Sequence, residues 1–303
     1  MPIAIVVHGG AGTLMPERRA AVEAGCKEAA LAGWRVLQAG GAALDAVEAA
    51  VRVLEDNPNF NAGRGACLTM TGTIELDAGI MDGNTLNVGA VAGVELIQNP
   101  ISLARKVLDS EHALLIGKGA QHFAEEYGIP SCTFDDLFTE RQHQLWKARN
   151  DKEEPRYYRR EVSSTTREDK HGTVGAVALD ASGALAAATS TGGTHYKYPG
   201  RVGDSPLVGC GFYADENAAV SCTGHGEDFT RLLIAKRAAD YVAGGAVART
   251  GAEAAIAFLG AHAQGTGGLI AVDRLGNAGF AWNSDNMTHA YMTEGMDEPA
   301  AGV

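Results

Sequence analysis

What this chain has little of sets its first bounds. It holds five cysteines in 303 residues, Cys26, Cys67, Cys132, Cys210 and Cys222, an odd number with wide spacing and no Cys-x-x-Cys pair. That argues against a disulfide framework, and the nine histidines show no paired metal-ligand spacing, which argues against a zinc site. Positive charge is short: 25 Lys and Arg stand against 37 Asp and Glu, for a net charge of −12. Nucleic acid and anionic membrane surfaces both reward basic patches, so neither is expected as a partner. No apolar run approaches the roughly 20 residues of a membrane-spanning helix. The start, Met1-Pro2-Ile3-Ala4-Ile5-Val6-Val7, lacks a basic n-region and reads as a first strand, so the expected compartment is the cytoplasm. No repeat or low-complexity tract is present.

What remains is an ordinary globular composition, 46% hydrophobic and 20% charged, with 39 glycines that imply many tight turns. Periodicity predicts a buried strand over 3–7, ending at His8-Gly9-Gly10-Ala11-Gly12, a glycine cluster that fits neither the Walker nor the dinucleotide spacing. Helices are predicted over 18–38 and 42–56, where Leu44, Val47, Val51 and Leu54 recur at helical spacing before the stop Asn57-Pro58. Strands over 66–70, 74–81 and 86–94 follow, then a helix to 108, a strand over 113–116 and helices over 121–127 and 139–150. The second half is predicted to hold a hairpin over 174–189, helices over 228–242 and 252–263, and a closing hairpin over 268–282. Short strands in hairpins among helix pairs imply an α+β fold with helices covering antiparallel sheets.

One stretch carries chemistry. Residues 151–170 hold 12 Asp, Glu, Lys or Arg, and 150–172 reads as a charged, mobile linker. At Thr173 the texture changes to small apolar residues: Val174 to Leu179 reads as a buried strand, Asp180-Ala181-Ser182-Gly183 as a tight turn, and 184–189 as the partner strand. A threonine hydroxyl is a weak nucleophile until a base takes its proton, and a free N-terminal amine on the same residue can be that base. Its pKa of about 7.7–8.0 leaves a neutral fraction near pH 7, and the β-branch restricts χ1 so that the hydroxyl is already aimed. Thr173 acquires that amine only if the Gly172–Thr173 bond is cut, and Gly172, without a Cβ, leaves the attacked carbonyl uncrowded. On spacing alone the same residues are also an ordinary strand start, and nothing local decides between the two.

Wider motifs occur in order: His171-Gly172-Thr173-Val174-Gly175, Thr189-Ser190-Thr191-Gly192-Gly193, Pro199-Gly200-Arg201-Val202-Gly203-Asp204 and Ser221-Cys222-Thr223-Gly224. His8-Gly9-Gly10-Ala11-Gly12, Phe60-Asn61-Ala62-Gly63 and Glu75-Leu76-Asp77-Ala78 extend the series. Over residues 3–290 the chain resembles the plant-type (type 2) L-asparaginase/isoaspartyl peptidase family of N-terminal-nucleophile hydrolases.

The resemblance implies a four-layer αββα sandwich. It also implies a single domain, 1–303, that becomes an α subunit, 1–172, and a β subunit, 173–303, by cleavage at Gly172–Thr173, and a dimer of such α/β pairs. It makes Thr173 the nucleophile, Thr191 its hydroxyl support, Thr223 and Gly224 the oxyanion donors, and Asn61 a support for the nucleophile's amino end. Arg201 and Asp204, with Thr223, Gly224 and Gly226, would hold an aspartyl head group, the guanidinium gripping its α-carboxylate and the carboxylate its α-ammonium. Leu54, Glu55, Asn57, Phe60, Ala62 and Arg64 match a loop that binds sodium through main-chain carbonyls in the family; no organic cofactor is implied. The expected small-molecule substrates are L-asparagine and β-aspartyl (isoaspartyl) dipeptides. The rival readings are a glycosylasparaginase-like amidase and a binding protein on the same scaffold that never cleaves itself.

Overall fold

The structure, a computed structural model, describes residues 1–151 and 172–303. Strand β1 (Ala4–Gly12) and a short 3-10 turn (Pro16–Arg18) lead into helices α1 (Arg19–Gln38) and α2 (Ala43–Asp56). Then come β2 (Leu76–Asp82), β3 (Val88–Val94), α3 (Pro100–Leu108), β4 (Leu114–Ile116), α4 (Gly117–Glu126), α5 (Phe134–Leu137) and α6 (Glu140–Asn150). The second stretch holds β5 (Val174–Leu179), β6 (Leu185–Thr191), β7 (Phe212–Ala214), β8 (Ala218–Gly224), α7 (Gly226–Leu232), α8 (Ile234–Ala243) and α9 (Ala248–His262). It ends with β9 (Gly267–Asp273), β10 (Ala278–Trp282), β11 (Asn286–Thr293) and β12 (Ala300–Gly302).

The strands form two sheets, one ordered β12-β11-β1-β5-β6-β2-β3-β4 and the other β10-β9-β8-β7. All neighbours pair antiparallel except β3 and β4. This is an α+β fold. Alternate residues of a strand serve different cores, as the period-2 geometry of a strand dictates. Ile5, Val7, Val174, Ala176 and Ala178 pack with α1 and α2, whereas Ala4, Val6, Val177 and Leu179 pack with Ile270 and Val272 of the smaller sheet. Val220, Leu269 and Ala271, on that sheet's other face, pack with α8 and α9. Strands buried on both faces lose the polar half of their pattern, which is why β1, β5 and β9 read as continuous apolar runs.

Helix α1 approaches β1 closely because residue 33 is glycine: a Cβ there would stand 2.1 Å from Ile5 Cδ1 and 2.7 Å from the Ala46 carbonyl. Helix α2 buries Ala43, Ala46, Val47, Ala50, Val51 and Leu54 on one stripe and turns out at Asn57.

Several sequence expectations need correction. Strand β1 does not stop at Val7; it bulges between His8 and Ala11, with Gly10 at φ 114°, and regains its pairing with β11 at Ala11 and Gly12. Residues 66–70 are not a strand, because Met70 N–H donates to the Lys197 carbonyl at 2.8 Å and Thr69 N–H to that of Thr73 at 2.9 Å, within a loop. The helix predicted over 228–242 is two, broken at Leu233, which takes left-handed angles of φ 52° and ψ 50°. Helix α9 starts at Ala248, before the predicted 252, where the buried Asp273 carboxylate accepts the Ala248 N–H at 3.0 Å. Helix α4 starts at Gly117 rather than 121. Helix α5 and strands β7 and β8 were not anticipated. The hairpin β9–β10 does not close the fold, since β11 and β12 follow and β11 pairs with β1. Strand β6 runs past 189 to Thr191, which places that residue beside the start of β5. The linker expected over 150–172 and His171 fall, apart from residues 150, 151 and 172, outside the described residues. No described helix is long and apolar enough to cross a membrane.

Candidate active site

The hairpin β5–β6 builds the centre. Its register pairs Val174 with Ser190, so Thr173 and Thr191 face each other one step further toward the open end. Thr173 is buried and its hydroxyl donates to Thr191 Oγ1 at 3.1 Å. Thr191 Oγ1 also accepts the Gly193 N–H at 2.9 Å, which fixes it at the strand end. A hydroxyl rotates to suit its partners, so either oxygen can donate in this contact.

Gly172 is held from the other side. Its carbonyl accepts the Asn61 N–H at 3.1 Å, and a Cβ on Gly172 would lie 2.8 Å from Asn61 Cβ, so only glycine fits. Asn61 also locks the loop after β6: its Nδ2 donates to the Gly193 carbonyl at 2.7 Å, its carbonyl accepts the Gly192 N–H at 2.9 Å, and its Oδ1 accepts the Cys67 N–H at 2.8 Å. The asparagine therefore meets the Gly172–Thr173 junction through its backbone, while its side chain orders the loop next to Thr191.

A small cleft is lined by Thr173, Thr191, Arg201, Asp204, Gly224 and Gly226 among others. It brings together most of the residues singled out from the sequence. Thr223, fully buried at the end of β8, stands behind this wall; its Oγ1 accepts the Ala11 N–H at 3.3 Å, which leaves its own proton to donate. A larger cavity lies on the far side of Gly172 and Asn61, bordered by Arg18, Arg141 and His195.

The recognition pair differs in one respect from the sequence expectation. Arg201 forms its ion pair with Glu227, Nε to Oε1 at 2.8 Å and Nη2 to Oε2 at 2.7 Å. Asp204 stays close but separate: a Cβ on Gly226 would stand 2.8 Å from Arg201 Nη2 and 3.1 Å from Asp204 Oδ1, so the missing side chain leaves the gap between them open. Burial pushes the Asp204 carboxyl up to about 7, opposed by its own loop's backbone hydrogen bond and by Arg201 and reinforced by Glu227 and Asp77. Its Oδ2 is buried with no hydrogen-bond partner among the described residues. Burial works against the charge of Arg201, but Glu227, with Asp204 and Asp77, outweighs it and holds the guanidinium above its ordinary pKa.

Buried supports surround this set. Glu75 accepts the Gly200 N–H with both oxygens, at 3.0 and 2.9 Å, and so anchors the loop that carries Arg201. Lys197, almost wholly buried, donates to the Glu75 carbonyl at 3.1 Å and lies 3.7 Å from Glu75 Oε2 and 3.8 Å from Asp77 Oδ2. His8 Nε2 and Ser221 Oγ are 2.9 Å apart behind β5, and burial lowers the His8 imidazole to about 3, so it is neutral.

The loop from Leu54 to Arg64 is tied by its own backbone: the Glu55 carbonyl accepts the Arg64 N–H at 2.7 Å and the Asn57 carbonyl the Phe60 N–H at 3.1 Å. A Cβ on Gly63 would stand 2.6 Å from the Glu55 carbonyl oxygen, and one on Gly65 would stand 2.7 Å from that of Phe60. No cluster of three or more His, Cys, Asp or Glu side chains with metal-site geometry occurs among the described residues.

Comparison with known proteins gives the family. The sequence profile described as Asparaginase matches residues 1–300. The chain belongs to the asparaginase family. It is 48% identical over 309 residues to the plant-type L-asparaginase of Pyrococcus abyssi (strain GE5 / Orsay), covering 99% of this chain and 100% of that one. It is 49% identical to the plant-type L-asparaginase of Thermococcus kodakarensis (strain ATCC BAA-918 / JCM 12380 / KOD1), with 99% of each chain covered. It is 42% identical to the isoaspartyl peptidase/L-asparaginase of Homo sapiens, over 97% of this chain and 94% of that one.

Sequence reasoning assigned no role to Glu227, Glu75, Lys197 or His8, although His8 and Glu75 fall within the ordered motifs. For Glu227 the signal available was Arg201 itself: a guanidinium drawn out of water calls for a carboxylate partner.

Proposed function

We propose that the protein is an amidohydrolase that cuts its own Gly172–Thr173 bond and then hydrolyses L-asparagine and β-aspartyl dipeptides. The observation that carries this reading is the 3.1 Å contact between the Thr173 and Thr191 hydroxyls within a cleft shared with Arg201 and Asp204. In maturation the Thr173 Oγ attacks the Gly172 carbonyl, already polarised by the Asn61 N–H; the acyl group moves from nitrogen to oxygen, and water hydrolyses the resulting ester. Thr173 then begins a β chain and carries a free amine.

In turnover that amine takes the proton from Oγ, which attacks the side-chain carbonyl of asparagine. The Thr223 hydroxyl and Gly224 N–H stabilise the oxyanion. Ammonia, or an amino acid from a β-aspartyl dipeptide, departs with the proton that the amine returns. Water then opens the β-aspartyl ester, giving aspartate and the free threonine. Arg201 holds the α-carboxylate and Asp204 the α-ammonium, which excludes internal peptide bonds whose α-groups are tied up.

The helix-backed faces of the two sheets support a four-layer αββα sandwich, and β1 pairing with both β11 and β5 supports a single domain divided into 1–172 and 173–303. The carbonyls of Leu54, Glu55, Asn57, Phe60, Ala62 and Arg64 would hold a structural sodium ion that stiffens the loop presenting Asn61. A cytoplasmic homodimer of α/β pairs that binds no nucleic acid completes the proposal, the last point resting on the net charge of −12.

Denaturing electrophoresis with a β-Asp-Leu and glycoasparagine assay tests it. Bands for 1–172 and 173–303 with turnover of β-Asp-Leu are expected. A single uncut band without turnover identifies a binding scaffold, and preference for glycoasparagine identifies a glycosylasparaginase.

A further inference from the structure

The threonines proposed for chemistry come from two sheets. Thr173 and Thr191 stand at strand ends of the larger sheet and Thr223 near the end of β8 in the smaller one, so their separation depends on how the sheets are held apart. Alternation along each strand sends 173, 191 and 223 into the space between the sheets. It sends Gly175, Thr189 and Ser221 into the same space one layer deeper, with His8 of β1 paired beside Gly175. The layer below that is apolar, with Val6, Val177, Ala187 and Ala219.

The second layer is a chain of hydrogen bonds among fully buried side chains. His8 Nε2 and Ser221 Oγ are 2.9 Å apart, Ser221 Oγ and Thr189 Oγ1 are 2.9 Å apart, and Thr189 Oγ1 donates to the Gly211 carbonyl at 3.2 Å. Each hydroxyl has one proton. Thr189 gives its proton to Gly211 and so accepts from Ser221; Ser221 in turn accepts from His8, whose proton is therefore on Nε2. The chain runs from β1 to β8 and back to β6, tying the smaller sheet to both neighbours of β5. Gly175 makes room for it: a Cβ there would overlap Ser221 Oγ and stand 2.5 Å from His8 Nε2. Apolar side chains would fill this layer without fixing a spacing, whereas hydrogen bonds hold both distance and direction.

We infer that Ser221 is a positioning residue for the oxyanion donors: hydrogen-bonded to His8 and Thr189, it sets the height of β8 against β5 and so the place of Thr223 and Gly224 relative to the Thr173 oxygen. This inference rests on the proposed function and adds to it the strut that joins nucleophile and oxyanion site. Oxyanion donors act in the transition state, so a displaced β8 lowers kcat and spares ground-state binding. The loop of Arg201 is anchored separately, through Glu75 and the Gly200 N–H. Self-cleavage uses the Asn61 N–H at the Gly172 carbonyl and does not pass through Thr223.

The test measures asparagine hydrolysis per Thr173 N-terminus, counted by sequencing, so that only cleaved chains enter the rate. Ser221→Ala is expected to self-cleave within about threefold of the wild-type rate and to lower kcat at least about tenfold, with KM within about threefold. Thr189→Val keeps the β-branched shape and cuts the chain at its other end; it should lower kcat in the same way, and it carries the test if Ser221→Ala does not fold. His8→Gln, whose amide reaches the Nε2 position, should recover most of the kcat that His8→Ala loses. In a Thr223→Ala background, Ser221→Ala should add less than about twofold, since both act at the oxyanion. Unchanged kcat with only a lowered urea midpoint, a loss confined to KM, blocked self-cleavage in both Ser221→Ala and Thr189→Val, or a full further loss without Thr223 would overturn the inference. Absence of asparagine turnover by the wild type would instead overturn the function on which it rests.

Discussion

The Thr173 and Thr191 hydroxyls lie 3.1 Å apart across the open end of one hairpin, so a single strand pairing sets the proposed nucleophile and its proposed support together. Replacing Thr191 by Val keeps the β-branched shape and removes the oxygen. Loss of a positioned hydroxyl that exchanges a hydrogen bond with the attacking oxygen costs on the order of 10² in rate. Thr191→Val is thus expected to slow both self-cleavage and asparagine turnover by about that factor, measured as band conversion and ammonia release, with the fold unchanged by circular dichroism.

Gly226 owes its identity to the gap it leaves. A methyl group there would sit 2.8 Å from Arg201 Nη2 and 3.1 Å from Asp204 Oδ1, in the space proposed for the substrate head group. Gly226→Ala is expected to mature normally and to raise KM for asparagine at least about tenfold, the direction expected when ground-state and transition-state binding are lost together. Unaltered KM would move the head group elsewhere.

Asp204 must be ionised to hold the α-ammonium, and burial has raised its carboxyl to about 7. In the free enzyme kcat/KM for asparagine should fall as pH drops through about 7, well above the point at which a surface aspartate would titrate. Asp204→Asn should lower kcat/KM across the range and make the acid limb less steep, leaving the limb set by the Thr173 amine; a pH profile of each protein checks it.

Glu55 gives a stability prediction with the opposite sign from a usual paired carboxylate. Burial raises it to about 8, against hydrogen bonds from Ser190 and the Ile101 N–H. The folded chain keeps this proton to about pH 8, whereas the unfolded chain releases it near 4.5. The folded state therefore binds more protons across that window, and stability falls as pH rises from about 4.5 to 8. Glu55→Gln carries no titrating proton, so its urea midpoint should lose this part of the slope. Equal slopes in the two proteins would contradict the assignment.

Local pattern made much of the fold legible. Helix α2 announced itself through Val47, Val51 and Leu54, and β5 through Val174 to Leu179, because local spacing reflects the buried face directly. Strands β8 and β11 escaped notice because their apolar residues are small or interrupted by Ser221, Thr223, Thr288 and His289, polar groups buried by neighbours distant in sequence. The break at Leu233 was likewise hidden, since the start of α8 is held by residues distant in sequence, the Lys236 N–H donating to the Gly209 carbonyl at 2.9 Å and the Ala235 N–H to that of Cys210 at 3.3 Å, while leucine does not favour the left-handed angles taken at 233. In the site, Thr173, Thr191, Arg201 and Asp204 were found through ordered motifs, and Glu227 was not, because its role exists only as a contact across 26 residues of sequence.

The most direct measurement follows new N-termini and catalysis in the same aliquots during maturation. Sequencing should detect Thr-Val-Gly-Ala-Val, beginning at Thr173, rising in proportion to ammonia release from asparagine. Thr173→Ala should show neither. Ammonia release at full rate from chains in which residue 173 is still joined to Gly172 would contradict the account.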